Sequence, residues 1–234
     1  MKTKFKELVS KLNIELSEDK IEQFFIYKDI LKEWNEKINL TSIVDDNEIL
    51  IKHFTDSLTI EKYVPKNASV IDVGTGAGFP GIPLKIARPD IELVLLDSLN
   101  KRINFLNEVI KKCELTNVRT VHGRAEDFAR DANYREMFDI STARAVANLS
   151  TLLEYCTPFL KIGGTFICMK ADAEQEIIEA SKAVKVLNME KEKIEKFKLP
   201  ELDADRTIVL YKKINNTPKQ FPRKAGMPAK EPIK

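Results

Sequence analysis

Val70-Ile71-Asp72-Val73-Gly74-Thr75-Gly76-Ala77-Gly78-Phe79-Pro80-Gly81 reads as a buried strand that runs into a glycine-rich turn and then a helix. A second apolar run, Leu93 to Leu96, follows and ends on Asp97. Strand, glycine turn, helix, strand and acid is the layout of an adenosine-cofactor site. Glycines permit the tight turn and let a ligand approach bare backbone. An acid at the end of the second strand accepts hydrogen bonds from ribose hydroxyls.

Two glycine patterns compete for this turn. Gly76-Ala77-Gly78-Phe79-Pro80-Gly81 matches the dinucleotide fingerprint G-x-G-x-x-G. Gly74-Thr75-Gly76-Ala77-Gly78 matches the G-x-G-x-G turn of S-adenosylmethionine enzymes. A dinucleotide site wants its first glycine directly after the strand, and five residues beyond Gly74 stands Phe79 rather than glycine. Pro80 has no N–H to offer a pyrophosphate. Asp72 would repel that pyrophosphate and would suit the cationic methionine end of a methyl donor. The methyl-donor reading is therefore preferred, and Gly74, Gly76 and Gly78 are its turn. The bland alternative, a plain strand-to-helix turn, does not explain three glycines with spaced acids.

Working outward, the remaining sequence alternates. Val118 to His122 reads as a third strand, Phe138 to Ala145 as a fourth and Thr165 to Lys170 as a fifth. A helix is expected over Ile103 to Ile110, and another from Leu149 to Leu160 that ends at Gly163-Gly164. A further helix is expected from Asp172 to Leu187. Strands are then expected at Lys191 to Phe197 and Thr207 to Lys213, paired as an antiparallel hairpin at one edge. Such alternation implies a mostly parallel, Rossmann-like sheet with helices on both faces, the α/β fold of class I methyltransferases. Residues 1–62 carry no strand signal. Ser17 is an N-cap, followed at helical spacing by Ile21, Phe24, Phe25, Ile30, Leu31 and Trp34. The expected division is a helical cap over 1–62, the methyltransferase domain over 63–213 and a basic, proline-containing tail over 214–234.

Bulk composition sets limits. The chain has 234 residues, 43% hydrophobic and 32% charged, enough for one packed α/β domain with a small addition. A net charge of +2 does not by itself point to nucleic acid. Cys113, Cys156 and Cys168 form no C-x-x-C pair, so no metal site is expected. No apolar signal core or membrane-length run is present, and a soluble, cytoplasmic protein is expected. In the tail, Lys219, Arg223, Lys224, Lys230 and Lys234 stand against one acid, Glu231, with four prolines and Phe221. Such a segment suits a polyanion equally as well as it suits a merely solvated terminus.

At this point the residues resemble the RsmG (GidB) family of bacterial 16S rRNA methyltransferases. The resemblance spans nearly the whole chain. It is carried by Trp34-Asn35, Ile38 to Ser42, His53 to Leu58, Asp72 to Pro83, Leu96 to Arg102, Gly123 to Glu126, Thr142 to Ala147 and the tail run Phe221 to Pro228. Phe221 stands where family tails usually have tyrosine. The resemblance implies transfer of a methyl group from S-adenosylmethionine to N7 of a guanine, G527 in the 530 loop. It also implies 16S rRNA or the small ribosomal subunit as partner. Gly74, Phe79, Ala125, Glu126 and Arg144 are carried over as cofactor contacts. Asp97 and Ser98 join them as ribose contacts on the strand-end argument.

The chemistry agrees with what the sequence lacks. Guanine N7 has a free lone pair and no proton, so no catalytic acid or base is expected, only positioning and exclusion of water. There is no [DN]-P-P-[FY] run after the fourth strand and no Pro-Cys nucleophile. An arginine bidentate on O6 and N7 would block attack, so basic residues are expected on phosphates or O6. Lys170, Arg206, Arg223 and Lys224 are assigned to RNA on this basis, with Asn39 beside them. For each, a solvated or structural charge is the competing reading. His53, on an apolar helix face, is read as capping a buried hydrogen bond, whereas Asp56 and Asn39 are readable either as orienting the cap over the site or as local turn and cap residues. Trp34 is read as core. Competing functions are an NAD-dependent oxidoreductase, a methyltransferase for a small molecule or protein, and a non-catalytic RNA-binding module. A monomer is expected, since no long heptad is present.

Overall fold

The computed structural model describes residues 1–144 and 147–234. Alternation of apolar strands and amphipathic helices produces a seven-stranded sheet in the order β3-β2-β1-β4-β5-β7-β6. The strands are β1 (Ser69–Val73), β2 (Glu92–Asp97), β3 (Val118–His122), β4 (Phe138–Arg144), β5 (Leu160–Lys170), β6 (Met189–Lys198) and β7 (Asp205–Lys213). β1 to β5 pair in parallel, and β7 runs antiparallel between β5 and β6. The strand order reverses at β1, with β2 and β3 on one side and β4 and β5 on the other, so a crevice opens at the carboxyl ends of these strands. The expected fourth-strand end, Ala145, and the adjoining Val146 lie outside the described residues.

The helices are α1 (Lys2–Ser10), α2 (Glu18–Ile38), α3 (Asp46–Glu48), α4 (Asp56–Leu58), α5 (Gly81–Ala87), α6 (Asn100–Lys112), α7 (Ala125–Phe128), α8 (Leu149–Cys156), α9 (Glu174–Glu179), α10 (Ser181–Val186) and α11 (Met227–Lys230). Ser17 caps α2, and Asn39 ends it in a left-handed conformation (φ 48°). Asp45 caps α3 through the Glu48 amide. Between α3 and α4 the helix winds as a π-helix, Ile49–Thr55, with extra residues in the turn.

Two expectations change. The helix from Leu149 stops at Cys156 because Pro158 cannot continue it; a short 3-10 turn, Thr157–Phe159, leads directly into β5. Gly163 and Gly164 therefore lie within β5 rather than at a helix end, and a side chain at Gly164 would press on backbone carbonyls at 3.0 Å. The helix expected over 172–187 is two short pieces, α9 and α10.

Strand alternation divides the core. Val70, Leu93 and Leu95 face one layer, where they join Phe5, Phe24, Tyr27, Phe54, Ile82 and Leu106. Ile71, Val73, Val94 and Leu96 face the other, with Leu149, Leu152, Phe166 and Phe221. The N-terminal helices thus have no core of their own: they cover one face of the sheet. The tail's Phe221 belongs to the opposite face.

Candidate methyl-donor site

The glycine turn is pinned from three directions. The Gly74 and Thr75 amides donate to the Leu96 carbonyl at 2.8 and 3.1 Å. Beneath the turn, Asp72 is fully buried, and its Oδ2 accepts from Thr75 Oγ1 (2.7 Å) and the Gly81 amide (2.9 Å). Its Oδ1 has no partner among the described residues, and burial raises the carboxyl to about 6. Above the turn, the buried Tyr27 hydroxyl of α2 donates to the Ala77 carbonyl. Gly74, Gly76 and Gly78 all have positive φ, the conformation that favours glycine. Gly78 is further confined: a Cβ there would sit 2.6 Å from Ile82 and 2.9 Å from the Tyr27 hydroxyl. At Gly76, by contrast, a Cβ would meet only the Gly74 carbonyl oxygen, at 4.0 Å.

At the carboxyl ends of β1, β2 and β3 lies a cavity of about 380 Å³. Gly74, Asp97, Ser98, Ala125 and Glu126 line it, with Leu99, Gly123, Arg124, Tyr155 and Gly226. Asp97 is buried; its Oδ2 accepts from the Gly76 amide (2.9 Å) and Arg102 (3.3 Å), and its Oδ1 from the Leu99 amide (2.9 Å). A carboxylate has about four acceptor positions, so Oδ1 retains one. Glu126 is buried at the start of α7 and gives Oε1 to the Gly226 amide at 2.7 Å. Its Oε2 has no protein donor among the described residues. Two carboxylates with spare acceptors, a turn of bare backbone and a volume suited to a small ligand fit an adenosine group. A larger cavity, about 700 Å³, lies at the opposite rim beside Ala68, Asp139 and Thr165, where open α/β sheets do not place their cofactors.

The other residues assigned to the cofactor are packed deeper. Phe79 is buried under the cap, stacked on His53 with ring centroids 4.4 Å apart. The Arg144 guanidinium lies 4.7 Å over the same ring. It donates to Asp56 Oδ2 (3.2 Å) and to His53 Nδ1 (3.3 Å). With Nδ1 accepting, His53 carries its proton on Nε2 and donates to Thr41 Oγ1 at 2.8 Å. Burial, with the Arg144 charge beside it, pushes the imidazole down to about 3, so it stays neutral. The π-helix brings His53 and Asp56 onto this one guanidinium.

Four of the residues assigned to RNA have structural employment. Arg206 binds Asp56 Oδ1 through Nε at 2.9 Å. Lys170 binds Glu176 (2.9 Å) and the Ala147 carbonyl (2.5 Å). Arg223 clasps the fully buried Glu154 through Nε (3.0 Å) and Nη2 (2.6 Å). Asn39 is the C-cap of α2. Lys224 is exposed, without an ion-pair partner among the described residues. Of the cavity residues that the sequence reading did not single out, Gly226 lies in the tail run and Gly123 in the run before Glu126. Tyr155 has no signal beyond its place on α8.

Residues 20–209 match the family described as GidB, rRNA small subunit methyltransferase G. The chain belongs to the GidB family. It is 51% identical over 228 residues to Ribosomal RNA small subunit methyltransferase G of Acetivibrio thermocellus, covering 97% of this chain and 94% of that protein. It is 52% identical to the Alkaliphilus oremlandii protein of the same name, covering 100% and 99%. In fold, this GidB-family chain is similar to a SAM dependent methyltransferase from Aquifex aeolicus: TM-score 0.57, 15% identity, 75% of this chain and 97% of that one. It is also similar to M. jannaschii TYW2 in complex with AdoMet: TM-score 0.52, 18% identity, 68% and 77%. The GidB-family fold is thus that of S-adenosylmethionine-dependent methyltransferases. Among the described residues no helix is long and apolar enough to cross a membrane. Among the described residues no three His, Cys, Asp or Glu side chains are grouped to hold a metal.

Proposed function

We propose that this chain methylates N7 of a guanine in 16S rRNA, the family's G527 in the 530 loop, with S-adenosylmethionine as donor. The carrying observation is the cavity at the ends of β1 to β3 that gathers Gly74 of the glycine turn, Asp97 and Glu126 in a GidB-family chain. The bound donor supplies an electrophilic methyl group on a sulfonium. Asp97 and Ser98 would hold its ribose, and Glu126 Oε2 its adenine amine. The N7 lone pair forms the new N–C bond as the S–C bond breaks, and the sulfur leaves with that bond's electron pair. No proton moves. The side chains accord with this: His53 is neutral, buried and committed to Arg144 and Thr41, and the two cavity carboxylates, Asp97 and Glu126, are engaged with backbone amides.

The chain's contribution is then alignment. Tyr27 and the Phe79, His53 and Arg144 stack fix the turn from the cap side. A-form RNA hides N7 in a narrow groove, so the target guanine is in a loop or flipped out. Lys224 is the residue we assign to the RNA backbone. Lys170 and Arg206 act on the RNA by shaping the surface around the crevice. Three free, buried cysteines support a reducing compartment, the cytoplasm.

The test is transfer of labelled methyl from S-adenosylmethionine to rRNA and small-subunit particles that lack the modification. The expected product is 7-methylguanosine at one loop position. A different labelled nucleoside would keep the donor and reject the acceptor. No transfer to either substrate, with donor binding intact, would reject the RNA reading.

A further inference from the structure

The tail does not leave the body of the protein as a solvated basic arm. Phe221 is buried in the core, and its carbonyl accepts from Arg135 at 2.9 Å, as does that of Thr217. Next, Glu154 on α8, fully buried, receives both the Arg223 guanidinium and the Arg223 backbone amide, the latter at 2.7 Å. Farther on, Thr151 Oγ1, also on α8, donates to the Pro228 carbonyl at 2.9 Å. Between these two anchors the chain turns through Gly226 at φ 83°, which places its N–H on Glu126 Oε1 at 2.7 Å. Gly226 lines the cavity, and so does Tyr155, the residue after Glu154.

We propose that segment 221–230 is a wall of the methyl-donor site, and that Arg223, Glu154 and the Gly226 amide are positioning groups for Glu126. This rests on the methyl-donor reading of the cavity. A carboxylate with both oxygens unheld would swing between rotamers. The strap takes one oxygen and so presents the other to a donor, the exocyclic amine of adenine. Arg223 and Glu154 fix the strap in the register that makes this contact. Because α8 supplies both the anchor and Tyr155, docking of the strap and closure of the cavity are one event. Donor binding and strap docking must then favour each other equally, by linkage. The conspicuous tail arginine thus serves the donor site, and of the two tail residues assigned to RNA its neighbour Lys224 remains.

Hydrogen–deuterium exchange on the full chain tests this without mutation. With saturating S-adenosylhomocysteine, exchange over 221–230 is expected to slow. Calorimetric titration of S-adenosylhomocysteine into Arg223→Ala and Thr151→Val is expected to give a Kd raised roughly tenfold, within the usual span of coupling between sites. KM for S-adenosylmethionine should rise with it while KM for rRNA holds. Arg223→Lys should restore only part, since it lacks the planar fork. Lys219→Ala, elsewhere in the tail, should bind as the wild type does. If Arg223→Ala does not fold, Thr151→Val and the wild-type exchange decide. Unchanged exchange and unchanged Kd, in a wild type that binds S-adenosylhomocysteine, overturn the proposal and leave the donor reading standing. A raised rRNA KM with unchanged donor Kd overturns it in favour of an RNA arm. A wild type that does not bind S-adenosylhomocysteine rejects the donor reading itself.

Discussion

The N-terminal helices and the C-terminal tail work from opposite faces of one sheet, and they hold the candidate donor site by different physics. The helices grip the glycine turn through aromatic packing: Tyr27 lies against Phe54 and Phe79, with centroids at 5.2 and 5.6 Å, and Phe5 and Phe24 pack behind Phe54. The tail grips Glu126 through one hydrogen bond from the Gly226 amide, held in register by the ion pair of Arg223 with the buried Glu154. Apolar packing is non-directional and tolerates small shifts, whereas a buried charge pair is satisfied in one register only. The cap therefore sets where the turn lies, and the tail sets how a single carboxylate points.

That contrast can be broken on either side. The largest stability effect is expected from Phe54→Ala, about 3–5 kcal/mol by loss of a fully buried aromatic. Urea unfolding should show it, with donor affinity falling only as the folded fraction falls. Arg223→Ala should cost about 3 kcal/mol, because it strands the buried Glu154 charge. Glu154→Gln combined with Arg223→Gln should recover part of that stability, and a double mutant as unstable as the single one would refute the ion-pair account.

The cap also carries a pH signature. His53 is held at about 3 in the folded chain and titrates near 6.5 when unfolded. Between those values the unfolded state binds more protons, so stability is full above about pH 6.5 and falls as pH drops toward 3. The loss amounts to about 4 kcal/mol across the window. Replacing His53 with Gln should flatten the chemical-denaturation profile over this range, and an unchanged slope would refute the buried neutral imidazole. Tyr27→Phe keeps the ring and removes the hydrogen bond to Ala77, for about 1 kcal/mol. The smallest effect belongs to Lys224→Ala. It should leave stability within about 0.5 kcal/mol and lower the salt sensitivity of rRNA binding by about one ion.

The sequence was most legible where local pattern and tertiary role coincide. The glycine turn, the acids Asp97 and Glu126, and the alternating strands announce themselves because backbone conformation and strand period are local properties. Pro158 was an overlooked local signal, and it moved the start of β5 five residues earlier than Thr165. Charge was the least legible property. Lys170, Arg206 and Arg223 read in the sequence as basic residues free to meet a polyanion. Their partners Glu176, Asp56 and Glu154 lie 6, 150 and 69 residues away, and most of these distances are invisible to any window of sequence.

By itself the amino-acid sequence determined the α/β fold, the glycine turn that follows β1 and the acids Asp97, at the end of β2, and Glu126, at the start of α7. Residue type and spacing dictate backbone geometry within a few residues, and that is all these features need. Only the tertiary structure decided that Phe79, His53 and Arg144 form one buried stack and that Gly226 meets Glu126 across 100 positions of chain. Burial of opposite charges and of aromatic faces is a property of which surfaces meet, and surfaces meet only after the sheet has brought its two ends together.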